Sequence, residues 1–113
     1  MLIPNADRAT IDPAKLRDYL LSTTHPIGRF KARFFTALGF SADRWAELGE
    51  AFRLQHLTQD AQLASSIGIG QKFTIQAILN GPNGQSAMVV GVWFVPSPGA
   101  LPRFVTAYPG ERQ

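Results

Sequence analysis

The sequence contains no cysteine. That excludes a disulfide scaffold, a Cys-ligated zinc finger, an iron–sulfur cluster and cysteine catalysis. Histidine is scarce too: His25 and His56 are the only two in 113 residues. With no ligand pair at helical spacing, no metal site and no cofactor is expected. Charge is sparse. Only 17% of residues are charged, and the net charge is a modest +3, against roughly 25% charged in an average globular domain. There is also no long apolar run. The most apolar window, 87–96, covers about ten residues, where a membrane helix needs roughly 20. The opening Met1-Leu2-Ile3-Pro4-Asn5-Ala6-Asp7 lacks the basic and then apolar order of a secretory signal. A cytoplasmic location with no membrane partner is the expectation.

What is present is unevenly spread. Residues 1–60 hold eight of the eleven basic residues and seven of the eight acids, whereas Ala61 to Gly110 carry only Lys72 and Arg103 and no carboxylate. The charged half has helical periodicity and the charge-poor half has period two. No repeat or low-complexity linker separates them. The chain therefore reads as a single domain, 1–113, with a helical layer over about 1–60 and a sheet layer over about 61–110, long enough to bury a core.

Helix signals come first. Asp12 is an N-cap candidate with Pro13 at the first helical position, and Leu16, Tyr19 and Leu20 share a face. The His25-Pro26 step ends that helix. A second helix is expected from about Ile27 to Leu38, with Ile27, Phe30, Phe34 and Leu38 as its apolar stripe and Gly39 as its left-handed cap. Ser41 opens a third, whose buried face is Trp45, Leu48 and Phe52. Beyond Thr58 the pattern changes. Gln59 to Gly70 reads as a connection with room for a short edge strand, and Gly68-x-Gly70 is a loop because no strand–helix pair flanks it. From Gln71, residues Phe73, Ile75, Ala77 and Leu79 point one way. Asn80-Gly81-Pro82-Asn83-Gly84 reads as a hairpin turn and little else. Gln85 to Val95 is a strand apolar on both faces, and Arg103 to Tyr108 is the last strand. The expected class is α+β: about three N-terminal helices packed on a C-terminal antiparallel meander of three to four strands.

Two segments carry candidate chemistry. In His25-Pro26-Ile27-Gly28-Arg29-Phe30-Lys31-Ala32-Arg33, a histidine precedes a helix whose polar face bears Arg29 and Arg33, with Lys31 to one side. A helix N-terminus suits a phosphate, and a histidine there can exchange protons near neutral pH. From composition and spacing alone, the reading these residues favour is a His-Pro loop followed by an amphipathic helix with solvated cations. In the last strand, Arg103, Thr106 and Tyr108 offer a cation, a hydroxyl and a phenol. Thr106 and Tyr108 share a strand face, and Arg103 points opposite unless a bulge intervenes. Packing and edge-capping explain this strand as well.

The ordered set, from Leu2-Ile3-Pro4-Asn5-Ala6 and Lys15-Leu16-Arg17-Asp18-Tyr19-Leu20 through His25-Pro26-x-Gly28-x-x-Lys31-Ala32 and Gly81-Pro82-Asn83-Gly84 to Pro102-Arg103-Phe104-Val105-Thr106-Ala107-Tyr108-Pro109, resembles a family of small bacterial domains of unknown function associated with polymorphic-toxin-like proteins. The order of helices and sheet is also similar to barnase-like and RelE-like RNase toxins. That resemblance implies metal-independent RNA cleavage, with His25, Lys31 and Tyr108 as catalytic residues and Arg29, Arg103 and Thr106 as substrate-binding residues. The implied partners are RNA and a cognate antitoxin or immunity protein. The other function the sequence supports is a non-catalytic interaction module, an operon partner or a homo-oligomer, using the charge-poor sheet.

Overall fold

The computed structural model describes residues 1–110. Asp12 caps the first helix as expected, its carboxylate accepting from the Ala14 N–H at 3.0 Å. The helical turn Pro13–Lys15 widens over Leu16–Leu20, where the Leu21 N–H bonds the Leu16 carbonyl five residues back; together these turns are α1. Helix α2 spans Arg29–Ala37. Helix α3 joins a 3-10 turn at Ala42–Arg44, an α-helical stretch Trp45–Ala51 and a wider turn Phe52–His56. Four strands follow: β1 (Gln62–Ile67), β2 (Gly70–Asn80), β3 (Ser86–Val95) and β4 (Arg103–Pro109). They pair antiparallel in the order β1-β2-β3-β4. The fold is α+β, helices first and a four-stranded meander after them.

Period-two patterning selects the inner face of the sheet. Phe73, Ile75, Leu79, Val89, Trp93, Phe104 and Ala107 are buried there, in one cluster with Leu16, Leu20, Phe35, Leu48 and Phe52 of the helices. Each large apolar side chain buried this way stabilises the fold by about 1.5–3 kcal/mol.

Helix α2 is rotated from its expected orientation. Ile27 and Phe30 are 62% and 71% exposed, and the buried side is Gly28, Ala32, Phe35 and Leu38. Contact distance explains this. A Cβ on Gly28 would lie 2.0 Å from the Tyr19 carbonyl oxygen, so the start of α2 is pressed against the end of α1. Only the small residues Gly28 and Ala32, one turn apart, fit that seam; Ile27 and Phe30 do not.

The Asn80–Gly84 turn also does more than close the β2–β3 hairpin. The Asn83 amide donates to the Ala37 carbonyl at 3.1 Å, and the Asn83 N–H to the Leu38 carbonyl at 3.5 Å. Gly81 lies so close that a Cβ would sit 1.8 Å from the Leu38 oxygen. The hairpin thus satisfies carbonyls that the end of α2 leaves unpaired, and it ties the helical layer to the sheet.

A bulge alters β4. Val92 pairs with Thr106 and Trp93 with Phe104, which leaves Val105 as the extra residue. Arg103, Thr106 and Tyr108 therefore stand opposite Phe94, Val92 and Val90 and share the outer face of the sheet, so Arg103 does not point away from the other two. Register across β2, β3 and β4 builds three rows on that face: Lys72–Phe94–Arg103, Thr74–Val92–Thr106 and Gln76–Val90–Tyr108.

One buried polar group stands out. His56 is fully buried, and among the described residues neither of its ring nitrogens nor Trp93 Nε1 has a hydrogen-bond partner. Both meet at Gly91, where a Cβ would lie 3.4 Å from His56 Nδ1 and 3.3 Å from Trp93 Nε1. Burial pushes the His56 pKa down to about 4, opposed by the Ala77 backbone. Between that value and the unfolded value near 6.5, the unfolded chain binds the extra proton, so stability rises with pH across this window. Denaturant titrations are expected to show the protein about 2 kcal/mol less stable at pH 5 than at pH 7 through this group. The difference should vanish in His56→Leu; an unchanged pH dependence in that variant would refute the assignment.

Candidate functional site

The site forms where the end of α1, the start of α2 and the edge strand β4 meet. His25 occupies the connection between the helices. Its Nδ1 accepts the N–H groups of Ile27 at 3.0 Å and Gly28 at 2.9 Å. The His-Pro-x-Gly step now has a physical reading. The histidine caps two N–H groups, Pro26 presents none to be satisfied, and Gly28 permits the close approach to Tyr19. With its Nδ1 lone pair engaged, the neutral ring carries its proton on Nε2. The ring stands edge-on to Tyr19, with centroids 5.0 Å apart and planes at 89°.

Lys31, one turn into α2, points back toward this group. Its Nζ donates to the Tyr19 hydroxyl at 2.9 Å and to Thr106 Oγ1 at 2.8 Å, and lies 5.1 Å from the Tyr19 ring centroid. The hydrogen bond from Lys31 holds the Tyr19 phenol below its ordinary pKa, with partial burial opposing. The result is an ammonium fixed between a phenol and a hydroxyl, with an imidazole against the phenol ring. Such a group can bind an anion and pass a proton.

Of the residues singled out in the sequence, His25, Lys31 and Thr106 are brought together through Tyr19. Tyr108 follows two residues after Thr106 on the same strand face, about 7 Å along β4, and is 40% exposed. Arg103 joins that face through the bulge. Arg29 goes elsewhere. It lies about 200° around the helix from Lys31, with its guanidinium 4.6 Å over the Phe30 ring, in a separate groove with Thr23, Arg33 and Thr36. Tyr19 was not singled out: its spacing with Leu16 and Leu20 reads as core, and only the seam at Gly28 turns its hydroxyl toward Lys31. Among the described residues, no group of three or more His, Asp or Glu side chains is placed to hold a metal ion.

Residues 2–111 match the family described as Domain of unknown function (DUF6883). The chain belongs to the DUF6883 family. No curated protein shows a significant sequence match. Among solved structures, this DUF6883 chain is similar to one titled "Contact-dependent growth inhibition toxin - immunity protein complex from Klebsiella pneumoniae 342". The two are 18% identical with a TM-score of 0.68, and the match covers 97% of this chain and 100% of that one. At that identity the similarity establishes a shared fold, which extends over both layers of this DUF6883 chain. None of its described helices is long and apolar enough to cross a membrane.

Proposed function

We propose that the chain works as one domain, a small bacterial toxin that cleaves RNA without a metal ion and is held in check by a cognate antitoxin or immunity protein. The observation that carries this reading is Lys31, fixed between Tyr19 and Thr106 at the rim of a sheet face with Arg103 and Tyr108 and no carboxylate. Such a face does not repel a polyanion. The order of helices and antiparallel sheet, similar to barnase-like and RelE-like RNase toxins, supports it, as does whole-chain similarity to a protein of a toxin–immunity complex.

The chemistry follows from the donors. Two of the three Lys31 N–H groups are committed within the site, and the third is free to meet a non-bridging phosphate oxygen. The ribose 2′-oxygen attacks its own phosphorus, and the P–O5′ bond breaks. Tyr19, whose phenolate the Lys31 hydrogen bond favours, accepts the 2′-hydroxyl proton, Lys31 stabilises the charge on the pentacoordinate phosphate, and Tyr108 positions the strand and gives its phenol proton to the departing 5′-oxygen. His25 holds the Tyr19 ring and the start of α2, since its engaged Nδ1 leaves it a donor through Nε2.

Purified protein incubated with RNA is expected to leave 2′,3′-cyclic phosphate and 5′-hydroxyl ends, at an unchanged rate in EDTA. RNA that stays intact overturns the reading. A non-catalytic interaction module, bound to an operon partner or to its own copy, is favoured instead by the outer face, where Met88 and Phe94 are half-buried and Ile78 is 51% exposed. Light scattering at high concentration separates the self-association form of that reading: a strict monomer removes it.

A further inference from the structure

We propose that the outward side of α2 is a second RNA-binding site, which grips a nucleotide of the substrate strand at a distance from the Lys31 cluster; this rests on the RNA reading above. A groove of about 490 Å³ lies there, lined by Thr23, Arg29, Phe30, Arg33 and Thr36. That volume is in the range of small-ligand sites, about 300–1,000 Å³. Its contents match one nucleotide. Phe30 is 71% exposed, a costly place for an aromatic ring, and the Arg29 guanidinium sits 4.6 Å from its centroid. With the cation on one side, the rest of the exposed ring is open to a stacked base. Arg29 and Arg33 fall one turn apart on the same side, as phosphate ligands would. Thr23 adds a hydroxyl for sugar or phosphate oxygens, while the Thr36 hydroxyl donates to the Arg33 carbonyl at 3.2 Å.

Electrostatics favour a polyanion here. No carboxylate occurs between Tyr19 and Ala42, and the acid just before this stretch, Asp18, is paired with Arg17. Among the described residues Arg29 and Arg33 form no ion pair, so their charge is uncompensated. An acidic protein surface is the other polyanion to consider. The groove suits RNA better, because a protein interface centres on a wider apolar patch, whereas this groove holds one ring among four polar side chains.

The test is binding of a fluorescein-labelled single-stranded 2′-O-methyl RNA, which cannot be cleaved, followed by anisotropy. Phe30→Ala is expected to weaken binding about tenfold, as loss of one stacked base does, and Phe30→Trp to restore it. Arg29→Ala and Arg33→Ala are each expected to reduce the salt dependence by about 0.7 in log–log slope. All three positions are exposed, so unchanged thermal melting is expected to show that the variants fold. With cleavable RNA, the same substitutions are expected to raise KM and leave kcat unchanged, while Lys31→Ala is expected to keep binding and lose cleavage. Variants of α2 that bind and cleave as the wild type does overturn this inference and leave the cleavage reading standing, assigning the groove to a protein. A wild type that binds through Phe30 and cuts nothing overturns the cleavage reading and leaves this site standing.

Discussion

Replacing Lys31 with alanine is expected to lower RNA cleavage by about 10²–10³-fold, the effect of deleting one preorganised donor to a developing oxyanion. The magnitude comes from preorganisation. Nζ is already held at 2.9 Å from the Tyr19 hydroxyl and 2.8 Å from Thr106 Oγ1, so it needs no reorientation as charge builds on the phosphate. The loss should fall in kcat rather than KM, because the strand is also held by other groups. Lys31→Arg should recover little, since a planar guanidinium cannot place its donors where a compact ammonium does. A readout independent of activity accompanies this. The Lys31 bond is the main cause of the lowered Tyr19 pKa, so in Lys31→Met the phenol is expected to titrate at higher pH by ultraviolet absorbance. Full cleavage by Lys31→Ala would show that the cluster is only a structural tie.

Gly28→Ala is the second large effect. The added Cβ would lie 2.0 Å from the Tyr19 oxygen and 2.7 Å from its carbonyl carbon. Both are backbone atoms, so relief requires α1 and α2 to separate. Overpacking of this kind costs about 3 kcal/mol, and thermal melting is expected to fall by about 10–20 °C in a domain of this size. The site suffers as well. Lys31 lies one turn beyond the seam, and pulling α2 outward lengthens its bond to Tyr19. Cleavage measured well below the melting temperature is therefore expected to drop too. Ile27→Ala, next along the chain, is the control. Ile27 is 62% exposed, so its loss should cost no more than about 0.5 kcal/mol, whereas a core isoleucine would cost about 2–5 kcal/mol. A mild Gly28→Ala paired with a severe Ile27→Ala would mean that α2 is turned the other way.

The Gly28 seam marks the limit of what periodicity reveals. Counting apolar residues at helical spacing places Ile27 and Phe30 in the core, because hydropathy rewards large side chains. The contact is set by two small ones, which let the helices approach. The same limit hid Tyr19, whose spacing with Leu16 and Leu20 looks like packing until α2 is placed beside it. For Arg103, strict alternation along β4 gave the wrong face. A single unpaired residue, Val105, shifts the register, and nothing local in Pro102-Arg103-Phe104-Val105 announces it. His25 and Lys31 were legible as polar residues in an unusual setting, yet their partners were not, because the Gly28 and Ala32 contacts decide where they point.

By itself the sequence determined the class of fold, the division into helical and sheet layers, the Asp12 cap, the inner face of β2 and β3, and the absence of cysteine chemistry. These follow from local rules: capping, periods of 3.6 and 2, and turn residues. Only the tertiary structure decided which face of α2 is buried, that the Asn83 turn caps that helix, and that Lys31, already bonded to Tyr19, also bonds Thr106 75 residues along the chain. Each depends on how closely two backbones approach, a property of pairs of elements that no single segment encodes.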